Sequence, residues 1–525
     1  MLDRKGVHIA TVNSYLATRD FELLRPVFQL LGLSIGLTRQ DDSPRDKRGS
    51  YSCDITVGTG YEFGFDFLRD QASMRGTSRR DLGELFRNRL RGRGSFDTDT
   101  IQRSHQFAII DEIDSVLLDE GNAPLILSKK PDADVASATV YRRAAFVASQ
   151  LKRDQDYLID QRAGSVRLTD AGVDNIFQSN SAPPELGLLR PWPKYVEQAL
   201  QAAHVLRKDV DYVIRDEQIV IVDKNTGRIF ADRTWRDGLH QAVEVEERVE
   251  VSPGNRSFAQ VSRQRYYAKY DRLCGMTGTA TGHEQELYDF YGLPVVVIPP
   301  RVPSRRQCLP TRFFATRDAK LRAIVQDVQQ RRSTQRPILL GTTTIEESFA
   351  LAREFNESQV PHLILNGVQD EDEAELIRAA GQAGTITIAT NMAGRGTNIK
   401  LCKQSLAAGG LHVIGTECQD SRRLDRQLGG RTARQGDPGS YQFFVSAEDR
   451  LVSTHGNDLA ANIARDCDEH GESSCDWITD IRRLQDVVEK HNFQKRRELS
   501  RHDDWMDDVL TTIAHGTLTT ESPVS

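Results

Sequence analysis

The stretch from Thr385 to Ser446 constrains the fold more than any other. It reads TITIATNMAGRGTNI, then GGLHVIGTE, then DSRRLDRQLGGRTARQGDPGS, then YQFFVS. Three short apolar runs, Thr385–Thr390, Leu411–Gly415 and Tyr441–Ser446, are continuous rather than alternating. Such runs mark strands buried on both faces of a parallel sheet. Each is followed by Gly, Arg, Asp or Asn, residue types that form backbone nests and reach phosphate oxygens. Arg431 and Arg434 lie three apart, so on a helix they share one face. Two guanidinium groups aimed at one point suit a phosphoryl-transfer transition state, where charge spreads over the γ-phosphate oxygens. An isolated RxxR reads as solvated surface. After a strand and a Gly-Arg-Gly loop it reads as half of a nucleotide site.

The chain of 525 residues has room for about three or four domains with their own cores. Its net charge of −6 argues against a dedicated nucleic-acid binder, which needs a basic face. The seven cysteines form no CxxC pair, which fits reduced thiols with neither a disulfide frame nor a zinc knuckle. No apolar run reaches transmembrane length; the longest, around Leu293–Ile298, reads as a strand closed by prolines. The first residues, MLDRKGVHIATV, lack the apolar core of a signal peptide.

In order, the chain opens on a strand, Val7–Val12, and continues through NSYLATRD to a helical stretch, Asp20–Leu31. A second strand and loop, DITVGTGY, leads into EFGFDFLRD, and the Arg- and Ser-rich residues 76–104 are expected on the surface. FAII followed by Asp111-Glu112-Ile113-Asp114 is an apolar strand ending in acids. In that arrangement the first carboxylate holds Mg²⁺ through water and the second orients the attacking water. Residues 129–253 change character, with turn-rich SNSAPPE, strands Asp211–Ile214 and Gln218–Asp223, and the turn DKNTGR; they read as an inserted domain. GMTGTA, at 275–280, puts small hydroxyl residues in a tight loop able to relay the state of a phosphate site. A second α/β domain begins near Lys320, with helix Leu321–Arg331 and strands in PILLGTTTIEES and HLILNG. Beyond Leu451 the pattern turns helical, and Ile481, Leu484, Val488 and His491 follow helical spacing.

These segments together resemble the SecA family of preprotein translocase ATPases over nearly the whole chain. The matching blocks are TVNSYLATRD, GTGYEFGFDFLRD, AIIDEIDSVLLDE with APLILS, DYVIRDEQIVIVDKNTGR, WRDGLHQAVEVEE, YDRLCGMTGTA, LLGTTTIEES, ITIATNMAGRGTNI, GGLHVIGTE, SRRLDRQLGGRTARQGDPGS and VEKHNFQKRRELSRHDD. The resemblance implies an α/β fold: two RecA-like motor domains, an inserted α+β peptide-crosslinking domain and a short helical segment. It places the first nucleotide-binding domain at 1–128 and 254–300, the peptide-crosslinking domain at 129–253, the second nucleotide-binding domain at 301–455 and the start of a helical scaffold at 456–525. It implies ATP and Mg²⁺ without zinc, unfolded secretory preproteins as cargo, and docking to the SecYEG channel at the inner membrane. It implies no nucleic-acid partner, leaves a homodimer open, and locates the protein in the cytoplasm, peripherally on the plasma membrane. By matching positions, Asp111 would be the Mg²⁺ acid, acting through water, and Glu112 the catalytic base. Thr277 and Thr279 would couple nucleotide state to domain motion. Gly394, Arg395, Gly396 and Gln435 would line the nucleotide cleft, and Arg431 and Arg434 would be the arginine fingers.

The departures are equally specific. No GxxxxGK[ST] phosphate loop occurs in the 525 residues. In the family that loop lies upstream of the strand matching Val7–Val12, and the wing and zinc-binding tail lie beyond the scaffold helix. Against the family pattern, Ser14 and Asn398 replace Asp, Asn122 and Gly429 replace Arg, and Ala433 replaces Gly. Without the loop's backbone cradle and lysine, ATP hydrolysis by this polypeptide alone is not expected. Two readings follow: a translocase motor recorded incompletely, or a degenerate relative that only binds peptides. An in-frame or frameshifted phosphate loop in the DNA upstream of the Met1 codon would favour the first. A nucleic-acid helicase is a remote third, disfavoured by the insertion and the acidic charge.

Overall fold

Continuous apolar runs require sheets covered on both faces, and a computed structural model of the chain shows two such sheets. The structure describes residues 6–77, 100–122, 124–129, 138–160, 165–178, 188, 190–222, 229–230, 234–235, 238–252, 256–365, 373–390 and 396–516. The chain divides into two units: residues 1–128, 257–298 and 489–525 form one, and residues 129–256 and 299–488 the other.

In the first unit, five strands run parallel in the order Arg272–Met276, Phe107–Asp111, Val7–Thr11, Ile55–Thr59, Ile35–Leu37. The opening strand is thus the central one. The helix after it spans Ser14–Leu30, beginning six residues before the expected Asp20. The reason is Asn13, whose side chain caps the helix by accepting the Leu16 N–H at 2.6 Å.

The helix Gly60–Thr77 carries Glu62, Asp66 and Asp70 at four-residue spacing, hence on one face, and all three are buried. Lys47 answers two of them, 2.8 Å from Glu62 and 3.0 Å from Asp66. The Tyr51 hydroxyl donates to Asp66 at 2.9 Å. Asp70 accepts the backbone N–H groups of Ile101 and Gln102 at 2.6 and 2.8 Å. The EFGFDFLRD block is therefore a buried polar tie that fixes the approach to the strand Phe107–Asp111.

In the second unit the strand order is Leu363–Leu365, Ile386–Thr390, Ile338–Thr342, Leu411–Gly415, Pro438–Ser446, Arg312–Phe314, Glu472–Ser473, with Arg305–Cys308 beside the start of Pro438–Ser446. All pairs are parallel except the last, which is antiparallel. Alternate residues feed two cores. Ile338, Leu340, Ile386, Ile388 and Ile414 join Ile324 and Phe355, from helices Arg317–Arg332 and Ile345–Glu357. Leu339, Ala389, Leu411 and Val413 join Ile481 and Val488 of the long helix Ile478–Gly516. Both faces are covered, which is why the strands show no alternation.

Residues 138–252 hold helices Ala138–Ala148, Trp192–His204 and Leu239–Glu246 and two antiparallel hairpins, Tyr157–Asp160 with Ser165–Leu168 and Tyr212–Arg215 with Gln218–Val222. Each hairpin is entered by the same turn. Asp156 accepts the Lys152 N–H at 2.8 Å, and Asp211 accepts the Arg207 N–H at 2.9 Å. The sequences KRDQDYLI and RKDVDYVI are thus two copies of one turn-and-strand unit.

Leu293–Ile298 is not a strand: the segment is irregular, and Val296, Val297 and Ile298 are exposed. Pro294, Pro299 and Pro300 remove ladder donors from this run. The turns SNSAPPE and DKNTGR, and residues 78–99 of the expected surface stretch, lie outside the described residues. Among the described residues no helix is long and apolar enough to cross a membrane.

Lys47→Met should cost the first unit about 3–5 kcal/mol, because Asp66 and Glu62 keep their burial and lose their shared cation. Urea unfolding followed by circular dichroism checks this; a loss below about 1 kcal/mol would show that the network carries little of the unit's stability.

Candidate functional site

The chemistry-bearing residues of the first unit gather at the carboxyl ends of two adjacent strands, where parallel sheets present their ligand sites. Phe107–Asp111 delivers Asp111, and Met276 stands in register against it. The TGT loop therefore leaves the sheet beside the acids. Asp111 is half-buried and its Oδ1 accepts the Glu112 N–H at 3.0 Å. Burial raises the Asp111 pKa, and the negative charge of Glu112 raises it further. Glu112 has φ 50°, a left-handed conformation uncommon outside glycine and found where a site holds its backbone in place. Two crowded carboxyl groups, one short of solvent, fit a divalent cation that would relieve their repulsion.

Asp114 makes the connection that sequence reading missed. It is fully buried, and its Oδ2 accepts the Thr279 hydroxyl at 2.6 Å. Thr279 in turn lies 3.3 Å, hydroxyl to hydroxyl, from Thr277, and its N–H donates to the Thr277 oxygen at 3.1 Å. The last acid of DEID thus holds both threonines of the loop. The available signal was its position three residues after Asp111 in DEID, between the apolar Ile113 and the apolar run Val116–Leu118.

Beyond Asp114 the chain makes a wide π-helical turn, Ser115–Asp119, and a 3₁₀ turn, Glu120–Asn122. Such turns leave carbonyls without regular helical partners. Side chains take them: Tyr291 hydroxyl on Leu117 at 3.1 Å, Arg496 on Leu118 at 3.4 Å, Arg263 on Glu120 at 3.1 Å and Gln264 on Gly121 at 3.0 Å. Arg263 also pairs with the Glu120 carboxylate at 2.7 Å. Arg496 grips both oxygens of Glu286. His283, Glu286 and Glu489 bring potential metal-ligand atoms within 4.8 Å of one another. The Arg496 guanidinium, 3.4 Å from Glu489, already supplies the positive charge there, so this cluster is an ion-pair network.

The arginines of the second unit are not on a helix, contrary to the expectation from their spacing. Helix Arg422–Gly429 closes with the Gly430 N–H on Arg426 at 2.7 Å and the Arg431 N–H on Leu428 at 3.0 Å. Arg431 lies in the following turn, and Arg434 opens a 3₁₀ turn, Arg434–Gly436. Ala433 and Gln435 have φ 53° and 55°, which no helix continues through. The Thr432 hydroxyl pins the turn to the Leu411 carbonyl at 2.5 Å. Arg434 reaches the Thr397 carbonyl at 2.6 Å and the Gly430 carbonyl at 3.2 Å. This brings Arg434 to the segment next to Gly396, whose φ is 73°. Gln435 is exposed and Arg431 half-buried. Gly394 and Arg395 lie outside the described residues.

A parallel sheet with acids and a hydroxyl loop at its carboxyl edge, and a second parallel sheet with an arginine turn leading into the strand Pro438–Ser446, define an α/β protein with RecA-like domains. Residues 1–288 match the SecA DEAD-like domain, and residues 303–407 and 402–470 match the SecA P-loop domain. The chain belongs to the SecA family. It is 40% identical to the protein translocase subunit SecA of Oleidesulfovibrio alaskensis over 524 residues, covering 98% of this chain and 57% of that protein. It is 40% identical to the protein translocase subunit SecA 2 of Geobacillus thermodenitrificans, covering 98% of this chain and 62% of that protein. The chain therefore spans less than two thirds of the length of these relatives. Among solved structures, S. cerevisiae Dbp5 bound to RNA and ADP BeF3 aligns over 92% of this chain and 81% of its own at 11% identity, with a TM-score of 0.37, too slight a likeness to bear on function.

Glu112→Gln should lower the Asp111 pKa, because it removes the neighbouring negative charge and leaves the burial. Carboxyl ¹³C titration of the Asp-labelled protein reads the shift; an unchanged Asp111 midpoint would mean that the two acids do not interact.

Proposed function

We propose that this chain is the motor part of a SecA-type translocase subunit, in which ATP binding and hydrolysis move unfolded preproteins through the SecYEG channel. The observation that carries the reading is the hydrogen bond from Thr279 to Asp114, which makes the acids and the TGT loop one mechanical piece, as a motor that senses its nucleotide requires. Family membership and 40% identity across nearly the whole chain support the same reading.

In this proposal Asp111 holds Mg²⁺ through water and Glu112 accepts the proton of the attacking water. Mg²⁺ supplies charge neutralisation at the phosphates. Thr277 and Thr279 carry the nucleotide state into the strand Arg272–Met276. Arg431 and Arg434 stabilise charge on the transferring phosphoryl group, and Gly394, Arg395, Gly396 and Gln435 line the nucleotide. The domain assignment is 1–128 with 254–300, 129–253, 301–455 and 456–525, the second being the peptide-crosslinking domain. Cytoplasmic location with peripheral membrane attachment belongs to the same proposal, as does the absence of a nucleic-acid partner.

A second reading, a peptide-binding relative without ATP turnover, is favoured by one observation: beside Arg431 and Arg434 the chain carries Gly429 and Ala433 where the family pattern has Arg and Gly. Photo-crosslinking of an unfolded preprotein to the purified chain tests both. Crosslinks should fall within residues 138–252, and their absence from a folded chain would overturn the proposal. With the phosphate-loop segment of a SecA relative fused ahead of the chain, release of the preprotein that depends on Mg·ATP and on Glu112 marks the motor; release indifferent to ATP in that fusion marks the second reading.

A further inference from the structure

We infer that Gln485 is a positioning residue for the arginine turn, so that the seat of the long helix Ile478–Gly516 sets how Arg431 and Arg434 are presented. The role of those arginines rests on the nucleotide reading above; the mechanical link does not.

Gln485 is almost fully buried, and its amide nitrogen makes two bonds at once, to the Gln419 carbonyl at 2.8 Å and to Asp425 Oδ2 at 2.6 Å. A primary amide has two N–H donors, so both are committed. Asp425 completes a closed ring by accepting the Gln419 N–H on its other oxygen at 2.8 Å. Asp425 stands near the start of helix Arg422–Gly429, whose last carbonyls hold the Gly430 and Arg431 N–H groups.

That helix has eight residues, too few to keep its place by its own hydrogen bonds. Its direction is set by what ties it down. The long helix supplies several of these ties from one face: Gln485 on Asp425, Asp486 accepting from Arg422 at 2.6 Å, and the Arg482 carbonyl accepting from Arg422 at 3.4 Å. Residues 482, 485 and 486 are i, i+3 and i+4 neighbours. Ile481 and Val488 flank them in the same core as Leu428. Arg422 and Asp486 are exposed, so their ion pair contributes little. Gln485 is the buried member, and a shift of the long helix breaks both of its bonds together. At the far end of the turn, Arg434 is fixed by the Thr397 and Gly430 carbonyls. Between these ends the Thr432 hydroxyl holds the turn to the Leu411 carbonyl, and Gln485 is the tie that comes from the long helix.

Amide hydrogen exchange on the purified chain tests the link without nucleotide, so its outcome is separate from the fate of the ATP reading. Gln485→Leu keeps the volume and removes both donors. It should speed exchange at Gly430 and Arg431 by about tenfold while Val413 and Ile414, in the neighbouring strand, keep wild-type rates. Gln485→Asn keeps the amide but shortens its reach, and should give the same local pattern if the leucine variant does not fold. Asp425→Asn replaces one of the two accepting oxygens with a donor, so either Gln485 or the Gln419 N–H loses its partner, and it should give the same local acceleration. Unchanged Gly430 and Arg431 in the folded Gln485 variants would overturn the inference, and so would an equal acceleration across the whole sheet.

Discussion

The 2.6 Å hydrogen bond from Thr279 to Asp114 is the contact on which the acid edge of the first unit depends. A fully buried carboxylate costs several kcal/mol unless its oxygens are satisfied. Asp114 is satisfied in part by a loop that lies 165 residues further along the chain. Because the two strands involved are neighbours in one parallel sheet, satisfying this carboxylate also fixes where Asp111 and Glu112 stand relative to Thr277. Removing the bond would leave a buried charge short of a donor and a loop short of its anchor. The strained backbone at Glu112 is tolerated for the same reason: residues on both sides of it are held.

The arginine turn of the second unit repeats this design with different chemistry. The helix ends at Gly429, two non-glycine residues beyond it are left-handed, and the segment is pinned at separate points by Thr432, Arg434 and the Asp425–Gln485 pair. In both units the residues proposed to meet nucleotide are thus carried on irregular backbone whose position is dictated by buried polar contacts. The long helix takes part in each. Its residues up to Val488 count with the second unit and hold the arginine helix through Gln485. Its residues from Glu489 count with the first and hold the loop after the acids through Arg496.

What was legible in the sequence was what periodicity encodes. Thr385–Thr390, Leu411–Gly415 and Tyr441–Ser446 read as buried parallel strands and are, because a strand covered on both faces has no polar alternation to hide it. The same logic failed at Leu293–Ile298, where proline removes the ladder donors that an apolar run would otherwise use. It failed again at Arg431 and Arg434: a spacing of three suggests a helix face, but the helix ends at Gly429 and the left-handed residues beyond it carry no strong local signature. The ties that matter most were not legible at all. Asp114 with Thr279, and Asp425 with Gln485, are joined only by tertiary folding across 165 and 60 residues. The duplicated turn at Lys152 and Arg207 was present in the sequence as two similar octapeptides, and needed only comparison of the chain with itself.

Asp114 holds the TGT loop to the acids through Thr279. The direct measurement is amide hydrogen exchange in Asp114→Asn, which keeps the shape and weakens the acceptor. Exchange of the Thr279 amide, now bonded to the Thr277 hydroxyl, should accelerate, with the change confined to residues 277–280 and to the turn beyond Glu112. Wild-type protection at Thr279 in a folded Asp114→Asn protein would contradict it, since the loop would then be held by something other than the acid motif.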